Sequence, residues 1–335
     1  MKNILLVFTG GTIGSTAMEG TINTSDAAAF KLIQLFQQHY RDHQDIHFKC
    51  LRPIQMLSEN LAPAAWEILI QAIEAELINP YDGIIMTHGT DTLAFTAAAL
   101  GLYFNALAMP LLLVSSDHPL DHPAANGLVN FIAAVEFIRQ QKEAGVFVPY
   151  TNRHQCTQIH LGTRLASSLQ LSGDFMSVQA KSYGQFENGL FSVNHAFTRA
   201  EVRLKADFSK RILLIKPYPG LDYSYFNLDS VELILHDLYH SGTACSSPQW
   251  GDNFSLLAFI KRCRERGIKV YLAPAIKSGN AYESTRELLE AGATMIWNLS
   301  LETAYAKLLL AYGNFNDEQQ IADFLNEDIA GEQVG

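Results

Sequence analysis

In the first half of the chain, short apolar runs alternate with longer stretches that have helical periodicity. Each run is followed by a polar turn and then by a helical pattern, which is typical of a strand–turn–helix unit. Repeated units of this kind predict an α/β fold, with a mostly parallel sheet covered by helices on both faces. The predicted strands are Asn3–Phe8, His47–Leu51, Gly83–Thr87, Pro110–Ser115 and Val146–Tyr150.

The pattern changes after Thr151, where short Gly-, Ser- and Asn-rich segments predict a hairpin region and a linker. A new alternation of strands and helices begins at Arg211. A chain of 335 residues is long enough to form two domains of ordinary size. We therefore predict a larger N-terminal α/β catalytic domain over 1–190, a linker over 191–210 and a smaller α/β domain over 211–335.

Ligands of parallel sheets bind outside the carboxyl ends of the strands. In this sequence, that rule places four hydroxyl residues on one rim. They follow four different predicted strands: Thr12, Ser58, Thr90 and Ser116. The polar segment 16–24, just after the first turn, is predicted to be a mobile loop.

The turn after the third predicted strand, His88–Thr92, contains the largest number of candidate functional groups. Gly89 lets backbone or ligand approach closely, and Thr90 and Asp91 add a hydroxyl and a carboxylate. The first turn of the following helix offers N–H groups that attract anions. This combination is compatible with an acyl-transfer site, although Thr90 or Asp91 could instead cap the helix.

A glycine-rich turn, Thr9–Gly14, follows the first predicted strand. It lacks the Lys-Ser/Thr end of a P-loop and does not fit G-x-G-x-x-G, so a dinucleotide site is not predicted. Its two glycines present Thr12 over the sheet. Thr12 could be a nucleophile if a neighbouring group takes its proton, or could simply satisfy the backbone of a tight turn.

Composition excludes several classes of protein. The net charge of −10 argues against a nucleic-acid or anionic-membrane partner. The four cysteines are scattered without metal-ligand spacing, and we interpret them as free thiols. The apolar run Ile4–Phe8 is too short for a signal peptide, and no run reaches membrane-spanning length, so we expect a cytoplasmic protein. The histidines match no zinc pattern, and neither metal nor cofactor is predicted.

The two turns together, Thr9–Gly14 and His88–Thr92, resemble those of the bacterial-type L-asparaginases, with the cytoplasmic type I group as the closest match. The resemblance implies a larger N-terminal and a smaller C-terminal α/β domain. It also implies hydrolysis of L-asparagine, or of a related ω-amide, to L-aspartate and ammonia. A homodimer or homotetramer acting on a small amino-acid amide is expected.

The resemblance also implies catalytic roles. Thr12 corresponds to the threonine that attacks the side-chain amide and forms an acyl-enzyme. Thr90 corresponds to the second threonine, which polarises water or shares the nucleophilic work, and its backbone N–H to the oxyanion donor. Asp91 corresponds to the carboxylate that holds the substrate ammonium.

Substrate-binding roles follow from the same resemblance. Ser58 and Glu59 match the positions that hold the α-carboxylate and α-amino group of the substrate. The carbonyl of Ser116 falls where the family accepts the N–H of the leaving amide. Gly11 and Gly89 belong to the same predicted binding surface.

Three features depart from the family pattern. The activating tyrosine of the family falls at about Thr21, and its catalytic lysine falls near Ser167, with Lys181 as the candidate substitute. The turn after the fourth strand, Gly-Ser-Gln-like in the family, is Ser115–His118 here, and its later Asp-Gly pair is Asn126-Gly127. These departures predict reduced hydrolysis. The alternative hypothesis is a non-catalytic or altered-substrate member that binds a small amino-acid-like ligand.

Overall fold

The computed structural model describes residues 1–18, 21–24, 26–140 and 143–335, and the side chains of 14–29 lie outside the described set. The chain divides into two compact units. The first consists of Met1–Phe208 and Asp328–Glu332, and the second of Ser209–Glu327 and Gln333–Gly335. The predicted domain and linker boundaries at 190 and 210 stay a prediction. Among the described residues, no helix is long and apolar enough to cross a membrane.

The first unit is built on an eight-stranded sheet accompanied by helices. Its strands are β1 (Lys2–Val7), β4 (Ile46–Leu51), β5 (Gly83–Thr87), β6 (Pro110–Val114), β7 (Gly145–Thr151), β8 (Thr157–Leu161), β9 (Gly184–Glu187) and β10 (Leu190–Val193). A separate ribbon contains β2 (Ser15–Met18) and β3 (Thr21–Thr24). The helices are α1 (Asp26–His39), α2 (Pro63–Glu76), α3 (Leu93–Tyr103) and α4 (Gly127–Gln140).

The strand order in the large sheet is β10-β9-β8-β7-β6-β5-β1-β4. Strands β4, β1, β5, β6 and β7 are parallel, whereas β8, β9 and β10 continue the sheet in antiparallel fashion. The predicted mixed, mostly parallel α/β architecture is therefore confirmed. The sequence predicted only a hairpin region and linker where the structure has β8, β9 and β10.

Successive side chains of the central strands point to opposite faces of the sheet, and both faces are buried. Ile4 and Leu6 of β1 pack in one apolar cluster with Phe36 of α1 and Phe131 of α4. The intervening Leu5 points to the other face and is also fully buried. A strand that is buried on both faces reads as a continuous apolar run, because neither set of side chains meets water.

The prediction of a mobile loop over 16–24 is wrong for the described part of that segment. Ser15–Met18 pairs with Thr21–Thr24 in an antiparallel ribbon. The segment is polar, but it is rich in threonine, and β-branched residues favour extended backbone over loop conformations. The role of the Thr21 side chain falls outside the described residues and stays a prediction.

The second unit has a four-stranded parallel sheet of order β11-β12-β13-β14. Its core contains Ile234, Leu272, Phe259 and Leu288. The smaller α/β C-terminal part that the sequence predicts is confirmed. Its elements are β11 (Ile212–Ile215), β12 (Leu233–His236), β13 (Lys269–Ala275), β14 (Thr294–Trp297), α5 (Leu256–Glu265), α6 (Glu283–Glu290), α7 (Leu301–Asn314) and α8 (Glu318–Asn326).

Candidate active site

The carboxyl ends of β4, β1, β5 and β6 lie at one edge of the large sheet, because these strands are neighbours and parallel. The turns that leave β1, β5 and β6 therefore meet at this edge. They carry Thr12, Thr90 and Ser116. The segment after β4, which contains Ser58, reaches the same edge through a bridge between Met56 and Gly10.

Two glycines bring the first two turns into contact. A Cβ atom placed on Gly11 would lie 2.3 Å from the backbone N of Gly89 and 2.5 Å from its Cα. A Cβ atom on Gly89 would lie 2.3 Å from Oγ of Ser58. The three segments therefore approach so closely that any side chain at either glycine would displace a neighbour.

Hydrogen bonds hold the β1 turn against both neighbouring segments. The Thr9 hydroxyl donates to the Thr87 carbonyl at 2.6 Å, and the Thr9 N–H donates to the Thr87 hydroxyl at 3.3 Å. On the other side, the Gly11 N–H donates to the Met56 carbonyl at 3.2 Å. The turn is thus fixed to the end of β5 and to the segment after β4.

The two threonines lie next to the glycine contact. Thr12 follows Gly11 and Thr90 follows Gly89, so each is one Cα–Cα step, about 3.8 Å, from the contact. Both threonines are half-buried. Within the part of the chain that the structure describes, neither hydroxyl has a hydrogen-bond partner, which leaves both able to bond to a ligand.

Asp91 does not cap helix α3. The N-cap residue is Thr92, whose hydroxyl donates to the Ser58 carbonyl at 3.0 Å. The exposed Asp91 carboxylate accepts a long bond of 3.4 Å from the Ser58 hydroxyl. Across the described ranges, Asp91 forms no ion pair. Its charge is therefore available to a cationic group of a ligand.

Ser58 and Glu59 differ in their surroundings. Both belong to a short 3-10 helix, Ser58–Asn60. Ser58 is buried and contacts both Gly89 and Asp91 through its hydroxyl. The side chain of Glu59, in contrast, is exposed. The structure therefore ties Ser58 directly to the two turns and places Glu59 beside it.

The turn after β6 is held by its own polar side chains. Ser116 is fully buried, and its hydroxyl donates to the His118 carbonyl at 2.6 Å and accepts from the Gly127 N–H at 3.1 Å. The Asp117 N–H donates to the Asn126 side chain at 2.9 Å, and the Asn126 N–H donates to the Asp117 carboxylate at 3.2 Å. This reciprocal pair, which sequence reasoning missed, fixes the backbone on either side of Ser116.

His88 is a second residue that sequence reasoning treated as incidental. Its ring is 2% exposed, and Nδ1 lies 2.8 Å from the carbonyl oxygen of Gly89. Burial lowers the pKa of His88 to about 4, so the ring is neutral near pH 7. The sequence feature that could have identified His88 is its position at the start of the turn, directly before Gly89.

Lys181 follows the 3-10 helix Val178–Ala180 and precedes strand β9. Its backbone N–H donates to the Val178 carbonyl at 3.1 Å. The role of Lys181 as a substitute for the family lysine stays a prediction.

Ser167 lies on a hairpin-like segment that returns to the carboxyl edge. Leu165 bridges Ser177 near its base, and the carbonyl of Gly173 accepts from the Tyr150 hydroxyl at 2.9 Å near its tip. A Cβ atom on Gly173 would lie 3.9 Å from Cβ of Asp117. The tip of this segment therefore reaches the turn after β6.

Comparison with known structures defines the class of protein. The thermostable L-asparaginase from Thermococcus kodakarensis matches with a TM-score of 0.81 at 24% identity, over 99% of both chains. L-asparaginase I from Vibrio cholerae matches with a TM-score of 0.80 at 23% identity, again over 99% of both chains. The chain has an asparaginase-like amidohydrolase fold.

The family follows from the sequence comparisons. The family model described as "Asparaginase, N-terminal" matches residues 3–198. The chain belongs to the asparaginase family, as the two glycine-containing turns predict. One similar relative is a subunit of the glutamyl-tRNA(Gln) amidotransferase of Methanosphaera stadtmanae. It is 26% identical over 349 residues, with 99% of this chain and 76% of the relative covered.

Proposed function

We propose that this protein hydrolyses the side-chain amide of L-asparagine, or of a related ω-amide, through a threonine acyl-enzyme. The observation that carries the proposal is the contact of Gly11 with Gly89 at the carboxyl edge, because Thr12 and Thr90 each follow one of these glycines directly. A threonine hydroxyl becomes an effective nucleophile when a neighbouring group takes its proton.

The proposed first step is attack of the Thr12 hydroxyl oxygen on the amide carbon. The C–O bond forms, the hydroxyl proton passes to the departing nitrogen, and the C–N bond breaks to release ammonia. Water, polarised by Thr90, then adds to the ester. The carboxylic acid leaves, and the proton returns to Thr12.

Substrate recognition is proposed to depend on charge. The Asp91 carboxylate, which has no ion-pair partner among the described residues, suits an α-ammonium group, and the adjoining Ser58 hydroxyl suits the α-carboxylate. Glu59 lies beside Ser58 and adds negative charge. The Ser116 carbonyl is proposed to accept from the leaving amide, while Gly11 and Gly89 let the substrate approach the backbone.

We propose that turnover is slower than in members of the family that retain the tyrosine and lysine. A positioned general acid–base contributes about 10²–10⁴-fold to the rate. Thr21 and Ser167 occupy the corresponding positions of the sequence and lack a phenol and an amine. We also propose a cytoplasmic homodimer or homotetramer.

A second candidate is a member with an altered role, which binds an amino-acid-like ligand without hydrolysing it freely. The same two substitutions favour it. Relatives that match the whole chain are named as subunits of an amidotransferase, which favours transfer of the amide nitrogen within an assembly that includes a protein partner.

The deciding experiment measures ammonia release from a panel containing L-asparagine, L-glutamine, D-asparagine and amide-capped acids, with a thermal-shift screen of the same compounds. Release of ammonia identifies a hydrolase. A shift in melting temperature without ammonia release identifies a protein that binds the compound without hydrolysing it. Intact-mass analysis after a reactive substrate analogue then assigns the nucleophile. The adduct is expected to persist in Thr90→Val and to be absent in Thr12→Ala, and the reverse pattern exchanges the two roles.

A further inference from the structure

The surroundings of His88 define the direction of its hydrogen bond. The ring is buried, and Nδ1 lies 2.8 Å from the carbonyl oxygen of Gly89. A carbonyl oxygen can only accept, so Nδ1 must carry the proton of this neutral ring. The histidine therefore donates to Gly89 and fixes the position of that carbonyl oxygen.

The fixed carbonyl determines where the next N–H points. The Gly89–Thr90 peptide bond is trans, since the cis bond found in the described residues is Ala273–Pro274. In a planar trans peptide, the C=O and N–H groups point in opposite directions. Anchoring the Gly89 oxygen against the buried ring therefore turns the Thr90 N–H away from that ring.

The residue that begins this peptide, Gly89, is packed by two neighbouring segments. Gly11 approaches its N and Cα atoms, and a Cβ atom on Gly89 would be 2.3 Å from the Ser58 hydroxyl. This packing restrains the backbone at Gly89, from which the Gly89–Thr90 peptide continues. Within the described ranges, the Thr90 N–H has no protein acceptor, and Thr90 itself is half-buried, directly after the glycine contact.

We propose that His88 is a positioning residue, which holds the Gly89–Thr90 peptide so that the Thr90 N–H faces the carbonyl oxygen of the bound amide. This inference rests on the proposed amide hydrolysis. His88 does not touch the substrate and exchanges no proton with it. Its contribution is to keep an N–H donor aimed at the negative charge that develops on the oxygen.

The kinetic test compares two substitutions of His88. His88→Leu removes the donor, whereas His88→Asn keeps an N–H donor at the same number of bonds from the backbone. Loss of one such oxyanion donor lowers kcat by about 10²–10³-fold, and a misaligned donor approaches that loss. We expect a fall in kcat of about 10–10²-fold with KM nearly unchanged in His88→Leu, and recovery of most of that loss in His88→Asn.

His160 provides a matched control. It is also buried, its pKa is lowered to about 4 by the same desolvation, and its Nδ1 bonds the Ser177 hydroxyl at 2.8 Å. It lies on β8, opposite Val148 of β7, and strands β7 and β6 separate it from β5. His160→Leu is expected to lower thermal stability and to leave kcat within about threefold of the wild type, as for sites away from the reacting atoms.

A second measurement does not depend on turnover. With ¹⁵N-threonine labelling, the Thr90 amide resonance is expected to shift when L-aspartate binds, because the product carboxylate occupies the site of the amide. The shift should be lost in His88→Leu and kept in His88→Asn and His160→Leu. An unchanged Thr90 resonance in the wild type overturns the inference, whether or not an amide is hydrolysed.

The two proposals fail in different ways. If no amide releases ammonia but the Thr90 resonance responds to L-aspartate through His88, the hydrolase proposal fails and the positioning role stands. If ammonia is released and Thr12→Ala abolishes it, while His88→Leu retains the wild-type kcat, the positioning role is wrong. A fall in kcat that His88→Asn does not rescue at all also overturns it.

Discussion

Gly11→Ala tests the contact on which the candidate active site depends. The added Cβ atom would lie 2.3 Å from N and 2.5 Å from Cα of Gly89, and these are backbone atoms that cannot rotate away. Gly11 also has a φ of +77°, in the left-handed region. That conformation costs an L-residue about 1–2 kcal/mol. Overpacking adds about 1–3 kcal/mol, so the expected destabilisation is about 2–5 kcal/mol.

Gly189→Ala separates these two contributions. Gly189 has a φ of +80°, and a Cβ atom there would have nothing within 4 Å. The substitution therefore carries the backbone cost alone, about 1–2 kcal/mol. The difference in the free energy of unfolding between the two variants measures how tightly the Gly11 and Gly89 turns are packed.

Thermal unfolding and ammonia release provide the assay. For a unit of about 200 residues, each kcal/mol lowers Tm by about 2–4 °C, so we expect losses of about 4–20 °C for Gly11→Ala and about 2–8 °C for Gly189→Ala. Displacement of Thr12 by an ångström should cost about 10²-fold in rate, with no loss in Gly189→Ala. Equal Tm values for the two variants would refute the close contact, and full activity in Gly11→Ala would refute its role in catalysis.

Three further predictions use the same site and its surroundings. Asp91→Asn should weaken L-aspartate binding by about 1.5–3 kcal/mol in calorimetry, as a lost charge-assisted bond requires, and unchanged affinity would contradict its proposed role. Ser167→Lys should raise ammonia release about tenfold or more by restoring an amine, while Lys181→Ala should leave the rate unchanged, because the site is proposed to lack its lysine. Loss of activity in Lys181→Ala would show instead that Lys181 supplies the amine. The folded-state pKa of His160 is about 4, below its ordinary value of about 6.5. Between these two pH values the unfolded chain binds more protons than the folded chain, so the free energy of unfolding falls as the pH drops through this range. His160→Leu should therefore lose less Tm between pH 7 and pH 5 than the wild type, and an identical loss would contradict the assigned cause.

The parallel part of the fold could be predicted from local patterns. Strand β5 lies at Gly83–Thr87 as predicted, because a continuous apolar run bounded by turn residues is the pattern of a strand buried on both faces. The rule that parallel strands present their carboxyl ends at one edge then places Thr12 and Thr90 together without any coordinates. The family resemblance depends on the same two turns.

The antiparallel half of the sheet was less predictable. Strand β8, Thr157–Leu161, is only five residues long, and its alternating pattern contains just two apolar residues, Ile159 and Leu161. It forms a strand because β7 and β9 supply partners for its backbone on both sides. The position of these strands relative to the carboxyl edge depends on this pairing and is not encoded in their own residues.

The residue types at the strand ends can be read from the amino-acid sequence: glycines that permit close approach, hydroxyls and a carboxylate. How these residues meet depends on the tertiary structure. The bond from Thr9 to Thr87 spans 78 positions. The contact of Gly11 with Gly89 likewise depends on how strands β1 and β5 pair. Local propensity selects a turn, but it cannot specify the distance between two turns, because that distance is set by the register of the sheet that carries them.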